Sequence, residues 1–530
     1  MTRLLALAFF VSLAAAQDPV ILISIDTLRA DHLSSYGYQK IKTPNIDSFA
    51  GTLFTNANSQ IPLTLPSHTS LFTSTYPFEN GIEENAEIVP AGAVTLASIL
   101  RSHGYKTAAF VGSNILDRSH GLDQGFDDYD SPFSASRVRR DGALVIRAAN
   151  TWLGAHRNQP VFVFVHLFDL HSPYKLKPAQ ASTEPETAGY DAELEYIDQL
   201  LGRFRQALIE NGWWKKSIVI LIADHGESLG DHGELSHGYF IYESTLHVPL
   251  LIHWPEGAAK LPDRVTEPAA LIDVAPTILD ALHLPAPPSF DGISLLHHGP
   301  HAIYSESVYA RDSFNWAALR SLRVANWKYI EAPHPELYDL TKDPHEQSNL
   351  VRTNAAQAAA LRPELSRLMA SHPRPQNPPS RDTSAATKKA LGSLGYLAGG
   401  SRKPASNVDP KDRLAEYQMF DRALDAMYSQ RLDAAIKGFR EILILDKNNL
   451  PARDTLGDAY KRAGKPADAV REWTAALASD PQYVPAAQAL GEYYISVKDW
   501  AKARAHLAQI HSPDPTIRQE LELVDRHLRP

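Results

Sequence analysis

From residue 19 to residue 350 the chain alternates short apolar β-like runs with amphipathic stretches, the pattern of a mainly parallel sheet flanked by helices. Runs at 19–25, 107–111, 160–166, 217–223 and 248–253 read as strands, and 43–50, 66–74, 94–103, 141–155, 190–211 and 271–282 read as helices. Two of these strands end in ligand-type side chains. The run from Val20 to Ile25 leads into Asp26, and the run from Ile218 to Ile222 leads into Asp224, His225, Gly226 and Glu227. Acidic groups and a histidine at strand ends of an α/β sheet are placed for one divalent metal, because charges there need partners or a cation. Asp224 and His225 are adjacent, so both reach one point only where the strand breaks into a loop, and Gly226 supplies that freedom.

A third feature belongs with them. In Thr64-Leu65-Pro66-Ser67-His68-Thr69-Ser70-Leu71 a hydroxyl precedes a proline and a helix opening. Free N–H groups and the dipole at a helix N-terminus favour an anion there. Beside a divalent cation the Thr64 hydroxyl becomes a workable nucleophile toward phosphorus or sulfur. Asn85 is a candidate donor to a non-bridging oxygen of the substrate. Farther along, Trp316 to Val324 and Trp327 to Glu331 read as a hairpin, and so as part of a small antiparallel subdomain.

Residues 373–411 are rich in Pro, Ser and Lys and read as a linker between a catalytic domain at 18–372 and a helical domain at 412–530. The second domain is periodic. Gly457 recurs as Gly491 and Tyr460 as Tyr494; Ala435, Ala469 and Ala503 form another register; Phe439, Trp473 and Leu507 form a third; Pro481 and Pro515 a fourth. Every step is 34 residues, with small and large residues where two packed helices per unit need them. On this reading the repeats fold and bind independently, and truncation near residue 390 leaves turnover of a small aryl ester intact.

The net charge of −9 offers no basic footprint, which argues against nucleic acid as a partner. Residues 1–16 read as a secretory signal, with Arg3, an apolar stretch from Leu4 to Leu13, and Ala14-Ala15-Ala16 as a small-residue cleavage site. That stretch is well short of the roughly 20 residues a membrane span needs, so no transmembrane anchor is expected and the enzyme is read as periplasmic or secreted. There is no cysteine, so no disulfide staples an exported fold.

Asp26-Thr27-Leu28-Arg29-Ala30-Asp31-His32, the Thr64 run, His166-Leu167-Phe168-Asp169-Leu170-His171-Ser172-Pro173-Tyr174 and Asp224-His225-Gly226-Glu227 together resemble the sulfatase family of the alkaline phosphatase superfamily. The resemblance implies an alkaline phosphatase-like α/β fold and a hydrolase of sulfate or phosphate esters. It assigns the metal to Asp26, Asp224 and His225, with the Thr64 oxygen completing the sphere. Calcium, manganese and zinc are all consistent with that set; Thr27 stands where many relatives have a second aspartate. It makes His171 the contact to the anion and leaving group, and puts His237 where relatives carry a lysine. Val111-Gly112-Ser113-Asn114 matches the family's Gly-Lys-x-His, with Asn114 on the substrate and both cations missing. The departure is sharpest at Thr64, because oxidising a threonine gives a ketone and not the family's formylglycine aldehyde. The 34-residue period resembles the tetratricopeptide repeat, three units from about 416 to 517, which implies a protein or peptide partner. Two other functions stay open: transfer of a phospho-group to a cell-envelope polymer or lipid, and a scaffold that binds partners through its repeats.

Overall fold

The computed structural model describes residues 18–134, 137–176, 185–258, 261–297, 299, 301–377, 379–382, 385–397, 406–510 and 515–529. The leader at 1–16 lies outside the described residues. No helix among the described residues is long and apolar enough to cross a membrane.

Among the described residues the larger sheet has nine strands: β1 (Val20–Ile25), β2 (Thr52–Asn58), β3 (Lys106–Phe110), β4 (Asp128–Asp130), β5 (Val161–Leu167), β6 (Ile218–Ile222), β7 (His247–His253), β8 (Arg264–Val265) and β9 (Ala269–Ala270). They lie in the order β4-β3-β5-β1-β6-β7-β2-β8, with β9 also paired to β2. All neighbours are parallel except β7, which runs antiparallel to both β6 and β2. Every residue of β1, β5 and β6 is buried. These unbroken apolar runs are covered on both faces, as the central strands of a parallel sheet must be. The C-terminal ends of β5, β1 and β6 therefore lie side by side, and the polar residues that follow them meet in one place.

A second sheet of four antiparallel strands, β10 (Ala302–Ser307), β11 (Leu319–Val324), β12 (Trp327–Glu331) and β13 (Glu336–Asp339), contains the expected hairpin as β11 and β12. It is tied to the first sheet through the Glu306 N–H to the Gln60 carbonyl at 2.8 Å and the Ser305 hydroxyl to the Ser59 carbonyl at 2.6 Å. A buried ion cluster braces the join. Lys328 Nζ lies 2.9 Å from both Glu243 Oε1 and Glu346 Oε1, and Arg323 Nη1 lies 3.2 Å from Glu243 Oε2. Strand β2 and the outer strands of the second sheet carry too weak an alternation to be read from sequence.

The C-terminal region is all helical, from Leu414–Tyr428 to Pro515–Leu528. Its periodicity has a packing cause. A Cβ on Gly457 would meet Trp473 Nε1 at 2.3 Å, and one on Gly491 would meet Leu507 Cδ2 at 2.5 Å. The small and large residues of the 34-residue registers are thus contact partners, and Ala435, Ala469 and Ala503 have no exposed surface. The region is not separate from the rest. Tyr239 stacks on Tyr417 with ring centres 4.1 Å apart, its hydroxyl donates to the Pro410 carbonyl at 2.8 Å, and one apolar cluster runs from Tyr239–Tyr242 into the helices.

The stretch at 373–411, expected as a linker, departs from that reading. The Ile88 N–H bonds the Ser380 carbonyl at 2.9 Å, Arg381 pairs with Glu87 at 2.9 Å, and a helix forms at Ala385–Gly392. Leu391, Leu394 and Tyr396 join the core of the main domain. Its Pro, Ser and Lys content concealed three apolar anchors, so a cut near residue 390 would remove side chains that pack on the main domain.

Candidate active site

Asp26 follows β1, and its backbone N–H is held by the Leu167 carbonyl of β5 at 2.9 Å. Its Oδ2 accepts from the Thr64 hydroxyl at 3.2 Å and faces His166 Nε2 at 3.3 Å. Asp224 Oδ1 accepts from the N–H groups of His225 at 2.9 Å and Thr27 at 3.3 Å. Thr27 has φ of 59°, a left-handed conformation strained for a β-branched residue. Tyr190 pins it there by donating to its carbonyl at 2.9 Å. Strain that persists only because its surroundings impose it is common at functional sites.

One ligand atom each from Asp26, Asp224 and His225 lies within 4.8 Å of the others. Asp26 Oδ1, Asp224 Oδ2 and His225 Nε2 are all buried with no hydrogen-bond partner. The His225 Nδ1–H donates to the Gly226 carbonyl at 2.9 Å, which leaves Nε2 with a free lone pair. Burial raises both carboxyls, Asp26 to about 6, and the charge of His225 offsets this only in part. Orphaned donors, the right tautomer and incompletely compensated negative charge make these residues fit a divalent cation.

Thr64 is the first residue of the buried helix Thr64–Thr73. The Leu65 N–H is capped by Asn85 Oδ1 at 3.0 Å, and Asn85 Nδ2 is left buried and unpartnered at the same helix end. His68 packs behind Thr64. Its Nδ1–H donates to the Thr64 carbonyl at 2.7 Å and its Nε2 accepts from Ser24 at 2.9 Å. Burial holds His68 and His166 down at about 4, so both are neutral rings that orient their neighbours.

His171 and His237 converge with their rings 5.1 Å apart. The His171 Nδ1–H donates to the Ser172 carbonyl at 2.7 Å and the His237 Nδ1–H to Glu227 at 2.9 Å, so both Nε2 atoms point inward. Burial depresses both rings, His237 to about 4. An anion between them would draw each toward the imidazolium form. Asn114 is different. Its N–H pairs with the Val138 carbonyl at 3.0 Å and its Oδ1 is buried unpartnered; among the described residues no hydrogen bond joins its side chain to Thr64, His171 or His237.

Two residues of the site had no sequence signal. Arg139 forms a bridge with Ser113, which stands between Gly112 and Asn114, the two positions lacking a cation. Its guanidinium donates to the His171 carbonyl at 2.8 Å and to that of Ser172, and Asp26 favours its charge against the burial that disfavours it. A positive charge thus returns to this place from a loop with no motif. Tyr396 comes from the supposed linker and sets its hydroxyl 3.0 Å from His171 Nε2 and in contact with His237 Nε2.

The chain matches the model of the family described as sulfatase over residues 19–284, half of its length. Residues 230–372 match the model described as N-sulphoglucosamine sulphohydrolase, C-terminal. Arylsulfatase K of Bos taurus is 24% identical over 425 residues, covering 63% of this chain and 78% of that protein. Among solved structures, the phosphonate monoester hydrolase of Agrobacterium radiobacter superposes with a TM-score of 0.58 at 21% identity, over 67% of this chain and 96% of the other. The structure titled Ps i-CgsB in complex with k-i-k-neocarrahexaose does so with a TM-score of 0.58 at 20% identity, over 68% and 94%.

Proposed function

The chain belongs to the sulfatase family and is a sulfate or phosphate ester hydrolase, and from that premise we propose that it works through Thr64 as a covalent nucleophile. The observation that carries this is the buried Thr64 hydroxyl at a helix N-terminus, hydrogen-bonded to Asp26 beside three orphaned ligand atoms. Asp26, Asp224, His225 and the Thr64 oxygen would hold one divalent cation, with manganese or zinc suiting a set that includes a histidine at least as well as calcium. Such a cation lowers the pKa of a neighbouring hydroxyl and neutralises charge on a transferring group.

The protein's own groups do the rest. Thr64 Oγ attacks the sulfur or phosphorus in line, and its proton leaves toward Asp26 Oδ2, the atom it already faces. The ester oxygen departs with a proton from His171 Nε2, which the ring takes up from solvent when the bound anion draws it to the imidazolium form. Water then attacks the Thr64 ester, restoring the hydroxyl and releasing sulfate or phosphate. Asn85 Nδ2 would donate to a non-bridging oxygen, and Arg139 would supply positive charge beside the stretch that lacks the family's lysine. Threonine suits phosphoryl transfer, since its sulfate ester has no aldehyde-hydrate route for release.

The leader at 1–16 supports export, and the 34-residue registers support a tetratricopeptide module for a protein partner. The decisive assay compares matched aryl sulfate, phosphate monoester and phosphate diester, with and without added calcium, manganese or zinc. Metal-stimulated turnover of a phosphoester above that of the sulfate is expected. Metal-independent rates at background on all three would refute the reading.

A further inference from the structure

The hydroxyl at the centre of the site belongs to the chain itself. Tyr396 Oη contacts His171, His237 and the Thr64 hydroxyl, the three groups that an ester's tetrahedral anion must meet under the function proposed above. Two sets of oxygens cannot occupy one position. Thr64, Asp26, Asp224 and His225 have no exposed surface, and His171 and His237 expose 1% and 4%. In this conformation the site is shut.

The approach of Tyr396 is built by the local backbone. The helix Ala385–Gly392 runs on into a turn in which the Tyr396 N–H bonds the Leu391 carbonyl at 3.0 Å and Gly395 takes φ of +91°. Glycine in the left-handed region is the standard way to end a helix and reverse the chain, and here the reversal aims the phenol into the site.

The same helix is seated at its other side on the C-terminal helices. Lys388 Nζ donates to Gln488 Oε1 at 2.9 Å, and the Tyr428 hydroxyl donates to the Lys388 carbonyl at 3.3 Å. A Cβ on Gly392 would fall 1.8 Å from Tyr428 Oη, so the two surfaces are flush. Lys388 faces Asp454 and Asp458 of the helix Leu450–Arg462, which in turn neighbour Glu492 of Val484–Ser496. Lys388 thus faces two of these three carboxyls, with Lys461 and Arg462 also near Asp458. The acceptors Asp454 Oδ1 and Glu492 Oε1 remain buried without hydrogen-bond partners, which leaves room for further cationic donors.

We propose that Ala385–Leu397 is a tethered plug: Lys388, held by the acidic face of the C-terminal helices, keeps Tyr396 in the ester site, and a lysine-rich peptide that takes its place on that face opens the enzyme. The inference rests on the ester-hydrolase reading, but its test does not require turnover. The probe is inorganic phosphate, titrated calorimetrically into full-length metal-loaded protein. Tyr396→Ala is expected to bind phosphate at least tenfold tighter than the wild type. Lys388→Glu, which touches no catalytic group, is expected to do the same through repulsion from Asp454 and Asp458, and it covers the case in which Tyr396→Ala fails to fold. A decalysine peptide should tighten phosphate binding by the wild type and leave Lys388→Glu unchanged. Weaker or equal phosphate binding in both variants overturns the plug, and a decalysine effect that is absent or identical in Lys388→Glu overturns the peptide release. Tighter phosphate binding without hydrolysis of any ester would sink the hydrolase reading alone.

Discussion

Thr64 Oγ donates to Asp26 Oδ2 at 3.2 Å, joining a helix N-terminus to the end of a central strand 38 residues earlier in the chain. Neither residue has any exposed surface. In the mechanism proposed for this chain, that relation would put the nucleophile and the group that accepts its proton on two rigid elements.

Removing that hydroxyl should remove covalent catalysis. Thr64→Ala is expected to lose roughly 10³-fold or more in kcat while keeping its fold, since only electrostatic stabilisation remains. Thr64→Ser should retain part of the rate, because the oxygen survives and only the methyl that restricts χ1 is gone. Quenched turnover of a phosphodiester should show a phosphorylated Thr64 peptide by mass. Near-normal rates in Thr64→Ala would make water the attacking group.

The orphaned atoms of Asp26, Asp224 and His225 make a second expectation. Asp224→Ala should purify with little bound divalent metal, and the wild type should gain thermal stability on adding manganese or zinc by the mass-action term for a ligand that binds only the folded state. Elemental analysis and melting curves check both. Unchanged metal content in Asp224→Ala would place the metal elsewhere.

The ion cluster between the sheets gives a stability prediction. Lys328 is 1% exposed and serves both Glu243 and Glu346, so Lys328→Met leaves the buried Glu346 without its cation and Glu243 with Arg323 alone. Breaking a buried pair from one side costs about 3–5 kcal/mol. Urea unfolding should show a loss of that order, whereas exposed Lys342→Met, which breaks a surface pair with Asp339, should change stability by under about 1 kcal/mol.

A pH dependence follows from His301, whose Nε2 lies 2.9 Å from Asp273 Oδ2. Burial lowers its pKa, but the hydrogen bond and charge of Asp273 outweigh that and raise it above the ordinary histidine value. A raised folded-state pKa contributes stability that is fully present below the unfolded value of about 6.5 and is lost as pH rises through the folded value. The melting temperature of His301→Gln should therefore fall further below wild type at pH 5.5 than at pH 8.5. Equal gaps at both pH values would show that the pair does not titrate with folding.

The local pattern of residues decided the parts that depend on nearest neighbours along the chain. Apolar runs such as Val20–Ile25 and Ile218–Ile222 must be interior strands, so Asp26 and Asp224 had to sit at strand ends. The spacing that pairs Gly457 with Trp473 and Gly491 with Leu507 repeats in sequence because the contact itself repeats. What tertiary structure alone decided are the residues whose role comes from a partner far away. His68 gains its orienting role only by packing between Ser24 and Thr64. Arg139 reaches the site through a bridge to Ser113 that no periodicity encodes. Tyr396 lies 225 residues from His171 in sequence and 3.0 Å from it in space. Composition around it reads as a tether, since Pro, Ser and Lys dominate a local window, while a few buried side chains and one left-handed glycine fix where such a segment goes.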